Sequence, residues 1–134
     1  MNDKTMCDCR ILVAEDEFML ADDLHAELVE AGAIVLGPAG TLEAVLALLQ
    51  SGGPIDGAIL DVNLGGQMIY PVADLCIERN VKVVFTTGYD ASAIPVRFSH
   101  IVRCGKPVDM RKVTQAIGKA IHPVEQRRLE GAWT

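Results

Sequence analysis

Short apolar segments that alternate with segments of helical periodicity limit the fold of this chain more than any other feature. One of the apolar segments is Ile34–Leu36. It is followed by Gly37–Pro38, and we expect these two residues to end the strand. Apolar runs separated by amphipathic helices are typical of parallel strands in an α/β protein. We therefore predict a doubly wound five-stranded parallel sheet with helices on both faces. The other four segments end in polar residues: RILVAED (10–16), GAILD (57–61), VKVVFTTG (81–88) and HIVRCGKP (100–107).

The segments between these strands have the apolar spacing and the end signals of helices. We predict helices over about 18–31, from residue 42 with Thr41 as its cap, over about 70–79 and over about 110–122, and a loop over 63–66. The segment 90–98 contains Pro95, so the fourth helix is predicted to be short or irregular, with at most one or two turns. Residues 10–122 then form one domain between an N-terminal extension (1–9) and a C-terminal tail (123–134).

Length and composition favour a single globular domain and argue against several classes of protein. The 134 residues suit one core, and the hydrophobic fraction of 50% lies outside the disordered range. No apolar segment approaches the ~18 residues of a membrane-spanning helix. The N-terminal sequence MNDKTMCDCR lacks the apolar core of a signal peptide. A formal net charge of −6 argues against direct binding to DNA, which needs a basic surface.

The four cysteines do not form the framework of a disulfide-rich protein. Cys76 and Cys104 lie within apolar patterns and are interpreted as small core residues. Cys7 and Cys9 have the spacing of a metal-binding pair, but no second pair of ligands follows at the spacing of a zinc site. A reducing, cytoplasmic environment is therefore the preferred interpretation.

The polar residues at the strand ends are the ones that suggest a chemistry. Functional sites of open α/β sheets lie outside the carboxyl ends of the strands, so we predict that these residues meet at one edge. Carboxylates held close together repel one another, and a divalent cation among them relieves the repulsion. Mg²⁺ prefers oxygen ligands and accompanies phosphate groups. The residues predicted to meet are Glu15, Asp16, Asp61, Thr87 and Lys106.

A phosphoryl group on Asp61 would use every member of this set. A carboxylate can act as a nucleophile and form an acyl phosphate. Lys106 supplies a positive charge for a phosphate oxygen, and Thr87 supplies a hydroxyl donor. Gly88 leaves room for the phosphoryl group beside Thr87. The sequence therefore predicts magnesium-assisted phosphoryl transfer to Asp61.

Each of these residues also has an ordinary structural explanation. The acids after the first strand would favour the positive end of the first helix, and Asp61 could be a turn residue. Lys106–Pro107 alone is a common turn sequence. The functional interpretation is preferred because the residues follow four different strands in the order that a shared site requires. The three histidines are scattered and are interpreted as residues without a catalytic role: His25, His100 and His122.

Four motifs spread over residues 10–122, ILVAEDE, ILDVNL, FTTGY and GKP, resemble the receiver domains of two-component response regulators, the CheY-like family. The resemblance implies a flavodoxin-like fold with strand order 2-1-3-4-5. It implies phosphorylation of Asp61 by a phosphohistidine of a histidine kinase or a histidine phosphotransfer protein. It also implies Mg²⁺ bound by Asp16, by Asp61, by the backbone carbonyl of Asn63 and, through a water molecule, by Glu15.

The same resemblance implies that Lys106 and Thr87 contact the phosphoryl group and that Thr87 rotates as a switch. It further implies a cis peptide bond between Lys106 and Pro107. The sequence FTTGYD, followed by IPVRF and GKP, is similar to stand-alone receivers named for a Phe-Ala-Thr-Gly-x-Tyr signature. Here Thr86 replaces the alanine of that signature, and Tyr89 follows Gly88 without an intervening residue.

The predicted output of the switch departs from the usual pattern of the family. Most receivers have an aromatic residue three positions before the lysine, where this chain has Arg103. We expect Arg103 to keep its stem on the sheet and its charge in water. Phosphorylation is then expected to order or shift the segment 90–98, with Arg103 as a charged reporter.

Two functions from other classes fit the sequence less well. A phosphatase with an aspartyl nucleophile would need an acid two residues after Asp61, where Asn63 stands. A flavodoxin-like cofactor binder would need a first loop rich in Gly, Ser or Thr, whereas the loop EDEF is acidic. The sequence therefore favours a signalling module, not an enzyme with its own substrate. It would act through protein partners or carry phosphate as a shuttle or sink.

Overall fold

A central parallel sheet of five strands has helices on both of its faces. The computed structural model describes residues 6–51, 53–88 and 93–122. In chain order the elements are β1 (Arg10–Ala14), α1 (Phe18–Glu30), β2 (Ile34–Ala39), α2 (Leu42–Ser51), β3 (Gly57–Asp61), β4 (Asn63–Leu64), β5 (Gln67–Met68), α3 (Tyr70–Glu78), β6 (Lys82–Thr87), a 3₁₀ turn (Val96–Phe98), β7 (Val102–Gly105) and α4 (Met110–Ile121).

The strand order in the sheet is β2-β1-β3-β6-β7, and every neighbouring pair is parallel. Since β4 and β5 form a separate small hairpin, this is the predicted order 2-1-3-4-5, and the fold prediction is confirmed. The register pairs Asp61 with Thr86 and Thr87 with Gly105. The last residues of β3, β6 and β7 therefore lie side by side at one edge of the sheet.

Alternate residues of the strands point to opposite faces and build two hydrophobic clusters. Leu12, Leu60 and Phe85 belong to the cluster that α2 and α3 cover. Ile11 and Ile59 belong to the cluster that α1 and α4 cover. Met6 and Cys9, from the segment predicted as an N-terminal extension, are buried in this second cluster.

Local hydrogen bonds fix where two of the helices begin. Thr41 Oγ1 accepts a hydrogen bond from the backbone N–H of Ala44 (3.1 Å), which is the predicted cap of α2. Asp109 caps α4 by accepting from the N–H groups of Arg111 (3.0 Å) and Lys112 (3.4 Å). No helix in the described residues is both long enough and apolar enough to cross a membrane.

The prediction that Gly37–Pro38 ends the second strand is wrong, because β2 continues to Ala39. The strand pairs on one side only, so a proline without an N–H is tolerated there. Gly37 has a φ of +97°, and the register with β1 shifts between Leu12 and Ala14. This irregularity keeps the strand in the sheet across a sequence that normally ends a strand.

The predicted loop 63–66 is instead the centre of a hairpin of β4 and β5. Gly65 (φ +59°) and Gly66 (φ +89°) form its two-residue turn, which favours glycine at both positions. The Gly-Gly pair is a sequence signal for a hairpin turn, but strands of two residues are too short to show the apolar–polar alternation that predicts a strand. Asn63 Oδ1 accepts a hydrogen bond from the N–H of Gly66 (2.8 Å), which holds the turn.

In the described part of segment 90–98, residues 93–98, the structure has 3₁₀ turns, as the prediction of a short or irregular fourth helix requires. The remaining residues of that segment, 90–92, lie outside the described residues. Phe98 is fully buried, stacks on Tyr70 (5.4 Å between centroids) and meets Phe85 edge to face (5.7 Å). The guanidinium of Arg97 donates two hydrogen bonds, each of 3.0 Å, to the carboxylate of Asp74 in α3, which makes the contact bidentate.

We predict that Gly37→Ala destabilises the domain by about 2–4 kcal/mol, because two free-energy costs add. An alanine must adopt a left-handed backbone conformation, and its Cβ is crowded by neighbouring atoms. A Cβ at Gly37 would lie 2.8 Å from the backbone N of Ala39 and 2.9 Å from the carbonyl O of Val13. Urea denaturation measures the change in the free energy of unfolding.

The matched control is Gly66→Ala, which has a similar φ but no atom within 4 Å of the added Cβ. It is expected to cost only the backbone term, about 1–2 kcal/mol. Equal losses in the two variants would contradict the packing explanation for Gly37.

Candidate functional site

Asp61 lies at the carboxyl end of β3 and has only 3% of its surface exposed. Its Oδ2 accepts a hydrogen bond from Lys106 Nζ at 2.8 Å. Its Oδ1 accepts one from the backbone N–H of Asn63 at 3.2 Å. Both carboxylate oxygens are therefore oriented by neighbours, and the side chain is presented at the sheet edge in one defined position.

Lys106 follows β7 directly and reaches three carboxylates. Besides Asp61, its Nζ lies 3.5 Å from Glu15 Oε1 and 3.6 Å from Glu17 Oε2. Burial opposes its charge, but the hydrogen bond and charge of Asp61, with the two glutamates, outweigh burial and raise the pKa of the ammonium. The Lys106–Pro107 peptide bond is cis, as the family resemblance implies.

Glu15, Asp16 and Asp61 form a group whose carboxylate oxygens lie within 4.8 Å of one another, in the part of the chain that the structure describes. Between β1 and α1, the N–H of Glu17 donates to Glu15 Oε2 (3.0 Å). Asp16 is exposed, and its Oδ2 accepts from the N–H of Gly65 in the hairpin (3.1 Å). Three converging carboxylates are the donor set that suits Mg²⁺.

The position of Glu15 makes its proton binding unusual. Burial, helped by the nearby charge and hydrogen bond of Asp61, raises the pKa of this carboxyl to about 7, although the Glu17 N–H and Lys106 act to lower it. At neutral pH the carboxyl is therefore only partly ionised. A divalent cation placed among the three acids would displace this proton.

The remaining predicted residues surround the same edge. Thr87 is buried at the end of β6, and its carbonyl oxygen accepts from the N–H of Lys106 (2.8 Å). Gly88 is exposed and would have nothing within 4 Å of an added Cβ, so space is open beside Thr87. A cavity of about 320 Å³ is lined by Asp16, Glu17, Asp61, Asn63, Gly65, Gly66, Gly88 and Lys106.

Arg103 does not line this cavity. It pairs with Phe85 in the sheet and is half-buried. Its Nε is buried and has no hydrogen-bond partner among the residues described. A larger cavity, of about 620 Å³, lies by the first residues of β6 and β7 and has none of the predicted site residues in its lining.

The cysteines do not form a second site. Cys7, Cys9, Cys76 and Cys104 are free. Cys9 Sγ lies 3.7 Å from His122 Nε2, and burial raises the pKa of this thiol, which disfavours the thiolate that binds metals. Cys76 is buried and Cys104 is half-buried, in agreement with their interpretation as residues of the apolar interior.

Glu17 is the site residue that the sequence analysis did not place. It follows the acid pair directly, and we treated it as part of the helix start. Its contact with Lys106 joins the segment after β1 to the segment after β7, and periodicity and motif spacing do not describe such a contact.

Solved structures of response regulators are similar to this chain over most of its length. SdrG from Sphingomonas melonis Fr1 is 36% identical, with a TM-score of 0.71 and coverage of 82% of this chain and 93% of SdrG. A receiver protein from Sinorhizobium medicae WSM419 is 24% identical, with a TM-score of 0.73 and coverage of 85% and 94%. The response regulator PhyR from Brucella abortus is 22% identical, with a TM-score of 0.74.

The match to PhyR covers 96% of this chain but only 54% of PhyR, so the chain spans about half the length of that protein. No protein-family model and no curated protein matches the sequence. The identity to SdrG and its coverage are sufficient to show the family. The chain belongs to the response regulator receiver family, as the motifs indicated. The narrower Phe-Ala-Thr-Gly-x-Tyr assignment stays a prediction.

We predict that the charge of Glu15 makes the metal-free protein less stable as pH rises. The folded state holds this proton up to about pH 7, whereas the unfolded chain releases it near 4.5. Stability from this group is therefore lost between about pH 4.5 and pH 7. Glu15→Gln should be more stable than the native protein at pH 8, by on the order of 1–3 kcal/mol, and nearly equal to it at pH 5.

Denaturant unfolding in chelator across this pH range measures the difference. Glu30→Gln, the same chemical change at the exposed end of α1, serves as the control and should follow the native curve. Parallel curves for Glu15→Gln and the native protein would contradict the assigned pKa.

Proposed function

We propose that the chain is a stand-alone receiver phosphorylated on Asp61 by the phosphohistidine of a histidine kinase or a histidine phosphotransfer protein. The observation that carries this proposal is the buried Asp61 carboxylate, held by Lys106 at 2.8 Å and grouped with Glu15 and Asp16. Burying this acid beside one ammonium and two further acids costs free energy, because the negative charges are not fully compensated. A bound cation would compensate them, and Lys106 and the cation together would hold a phosphoryl group.

Mg²⁺ is the proposed cofactor, held by Asp16, Asp61, the backbone carbonyl of Asn63 and, through water, Glu15. When bound, it neutralises charge on the transferring phosphoryl oxygens. The protein supplies position: the hydrogen bonds to Asp16 Oδ2 and Glu15 Oε2 hold both acids in place before any ligand arrives.

The proposed transfer forms one bond and breaks one. A carboxylate oxygen of Asp61 attacks the phosphorus, the P–N bond to the histidine breaks, and its electron pair stays on the imidazole nitrogen. Lys106 moves its ammonium from the carboxylate to a phosphoryl oxygen, and the Thr87 hydroxyl, two strand positions past buried Phe85, donates to another. The oxygen that Lys106 contacts at 2.8 Å, Oδ2, belongs to the attacking carboxylate.

Protein partners are proposed because exposed apolar residues directly follow a lining residue of the site, Glu17, in the chain. Phe18 and Met19, at the start of α1, have 83% and 77% of their surfaces exposed. The phosphatase alternative is disfavoured because Asn63 is an amide whose Oδ1 already accepts from Gly66. We therefore propose a signalling phosphoacceptor that assists its own phosphorylation and dephosphorylation, acts as a switch, shuttle or sink for phosphate, and works in the cytoplasm without contacting DNA or membrane.

We predict that acetyl phosphate with Mg²⁺ adds one phosphoryl group to the native protein and none to Asp61→Asn. The amide is a poor nucleophile and removes the charge that pairs with Lys106. Intact-mass spectrometry measures the adduct. Asp16→Ala, or chelation of Mg²⁺, should lower the rate of labelling by at least about tenfold. Equal labelling of Asp61→Asn would place the phosphoryl group on another residue.

Output is proposed to pass through the segment 93–98 and Arg103. The ion pair of Arg97 with Asp74 and the stacking of Phe98 on Tyr70 fasten this segment to α3. The buried Nε of Arg103 has no partner in the described residues, so a small shift nearby can give it one. Thr87 is two residues from Phe85, which contacts Phe98 and pairs with Arg103.

SdrG, 33% identical to this chain in a second structure, has a BeF₃-activated conformation, so beryllofluoride is a suitable phosphate mimic here. We predict that hydrogen exchange with and without this mimic changes most within residues 93–103. Arg103→Ala should weaken that change and leave Asp61 phosphorylation intact. The control Arg79→Ala removes a guanidinium that bonds to Leu49 O, away from the segment. Exchange that changes only around Asp61 would contradict this route.

A further inference from the structure

Glu17 occupies the N-cap position of α1 but does not act as a cap. Its backbone is extended there (φ −81°, ψ 114°), and its side chain makes no capping hydrogen bond. Ser, Thr, Asp and Asn are the residues that normally cap from this position, and glutamate is not among them. The side chain instead reaches across the mouth of the cavity, with Oε2 at 3.6 Å from Lys106 Nζ.

This contact gives Lys106 one more anionic neighbour than phosphoryl transfer requires. Its other two partners, Asp61 and Glu15, are buried, whereas the Glu17 side chain is 64% exposed. An exposed ion pair adds little stability. A negative charge at the entrance of a site does, however, repel anions before they reach it. Glu17 is therefore placed to act on what enters the cavity and not on how the domain folds.

We propose that Glu17 is a specificity-determining residue that discriminates against small anionic phosphodonors and favours a phosphohistidine flanked by a cationic side chain. The inference rests on Asp61 as phosphoacceptor. A free acyl phosphate brings two negative charges past Glu17, and nothing in it compensates for them. A protein donor with a positively charged residue beside its histidine pairs with Glu17 when Lys106 leaves it for the phosphoryl group.

The exposed pair Phe18–Met19 supports a protein as this donor. It follows Glu17 directly in the chain, so two exposed apolar residues come next in sequence to a carboxylate that lines the cavity. A small phosphodonor has no surface that would cover these side chains. A protein surface with an apolar patch and a cationic side chain at its rim complements both parts.

The first experiment measures the rate of Asp61 labelling by acetyl phosphate with saturating Mg²⁺, at low and at high salt. The carboxylate attacks phosphorus, the P–O bond to the acetyl group breaks, and acetate leaves with the electron pair. Glu17→Gln should raise the rate about three- to tenfold at low salt, and the gain should shrink at high salt because ions screen the charge. Glu30→Gln, with the same change in net charge at the far end of α1, should match the native rate.

A second donor and a second variant separate charge from structure. Phosphoramidate carries about one negative charge less than acetyl phosphate, so Glu17→Gln should accelerate it less. Glu17→Lys reverses the charge at this position and should accelerate labelling by acetyl phosphate more than Glu17→Gln does. A rate with Glu17→Lys no higher than with Glu17→Gln, or equal acceleration of both donors by Glu17→Gln, would overturn the electrostatic role.

The preference for a cationic neighbour is tested with two phosphohistidine peptides that differ by Lys or Gln beside the histidine. The native protein should react about threefold or more faster with the Lys peptide, and Glu17→Gln should not distinguish them. If Glu17→Gln still reacts faster with the Lys peptide, the proposed pairing of Glu17 with the lysine of the donor is wrong. Failure of native Asp61 to label with any donor would refute the proposed function itself, whereas normal labelling with no effect of Glu17→Gln refutes only this inference.

Discussion

The contact between Lys106 and Asp61 is the interaction on which the candidate site depends. Three carboxylate groups within 4.8 Å of one another would not stay at a buried sheet edge without a compensating charge. The ammonium, held at 2.8 Å by the position of Lys106 directly after β7, supplies that charge. It does so incompletely, because one cation faces Asp61, Glu15 and Glu17. Burial, together with the charge of Asp61, raises the pKa of Glu15 to about 7 in spite of Lys106. The site is thus prepared for a divalent cation and maintained in its absence by one lysine.

The parallel sheet makes this arrangement rigid. Register places Asp61 opposite Thr86 and Thr87 opposite Gly105, so the three strands end together. Two hydrophobic clusters lie on the two faces of the sheet and leave the strands little freedom to slide. Only the loops beyond the strand ends can move without disturbing a core. A change of charge at Asp61 is therefore expected to act on loops and on the segment around Phe98 before it acts on the sheet.

The segment 93–98 shows how an irregular connection can still be anchored. Phe98 fills the space against Phe85 and Tyr70, and Arg97 stacks over the Phe98 ring at 4.4 Å while it pairs with Asp74. A few aromatic and charged contacts replace the apolar stripe of a full helix. Phe98 is also a fully buried member of the cluster that α2 and α3 cover, so a shift of this segment has to keep or replace its contact with Phe85.

The amino-acid sequence by itself determined the order of strands and helices, the family, and the set of residues at the sheet edge. Apolar periodicity and the polar ends of four strands carry that information locally, because a parallel sheet always brings its carboxyl ends together. The tertiary structure decided what depends on neighbours that are distant in the chain. It kept β2 in the sheet beyond Gly37–Pro38 because this edge strand pairs on one side only. It buried the Nε of Arg103 and brought Glu17, which follows β1, to Lys106, which follows β7. Periodicity describes which face a residue occupies, whereas the partner of a side chain is decided only when the elements pack.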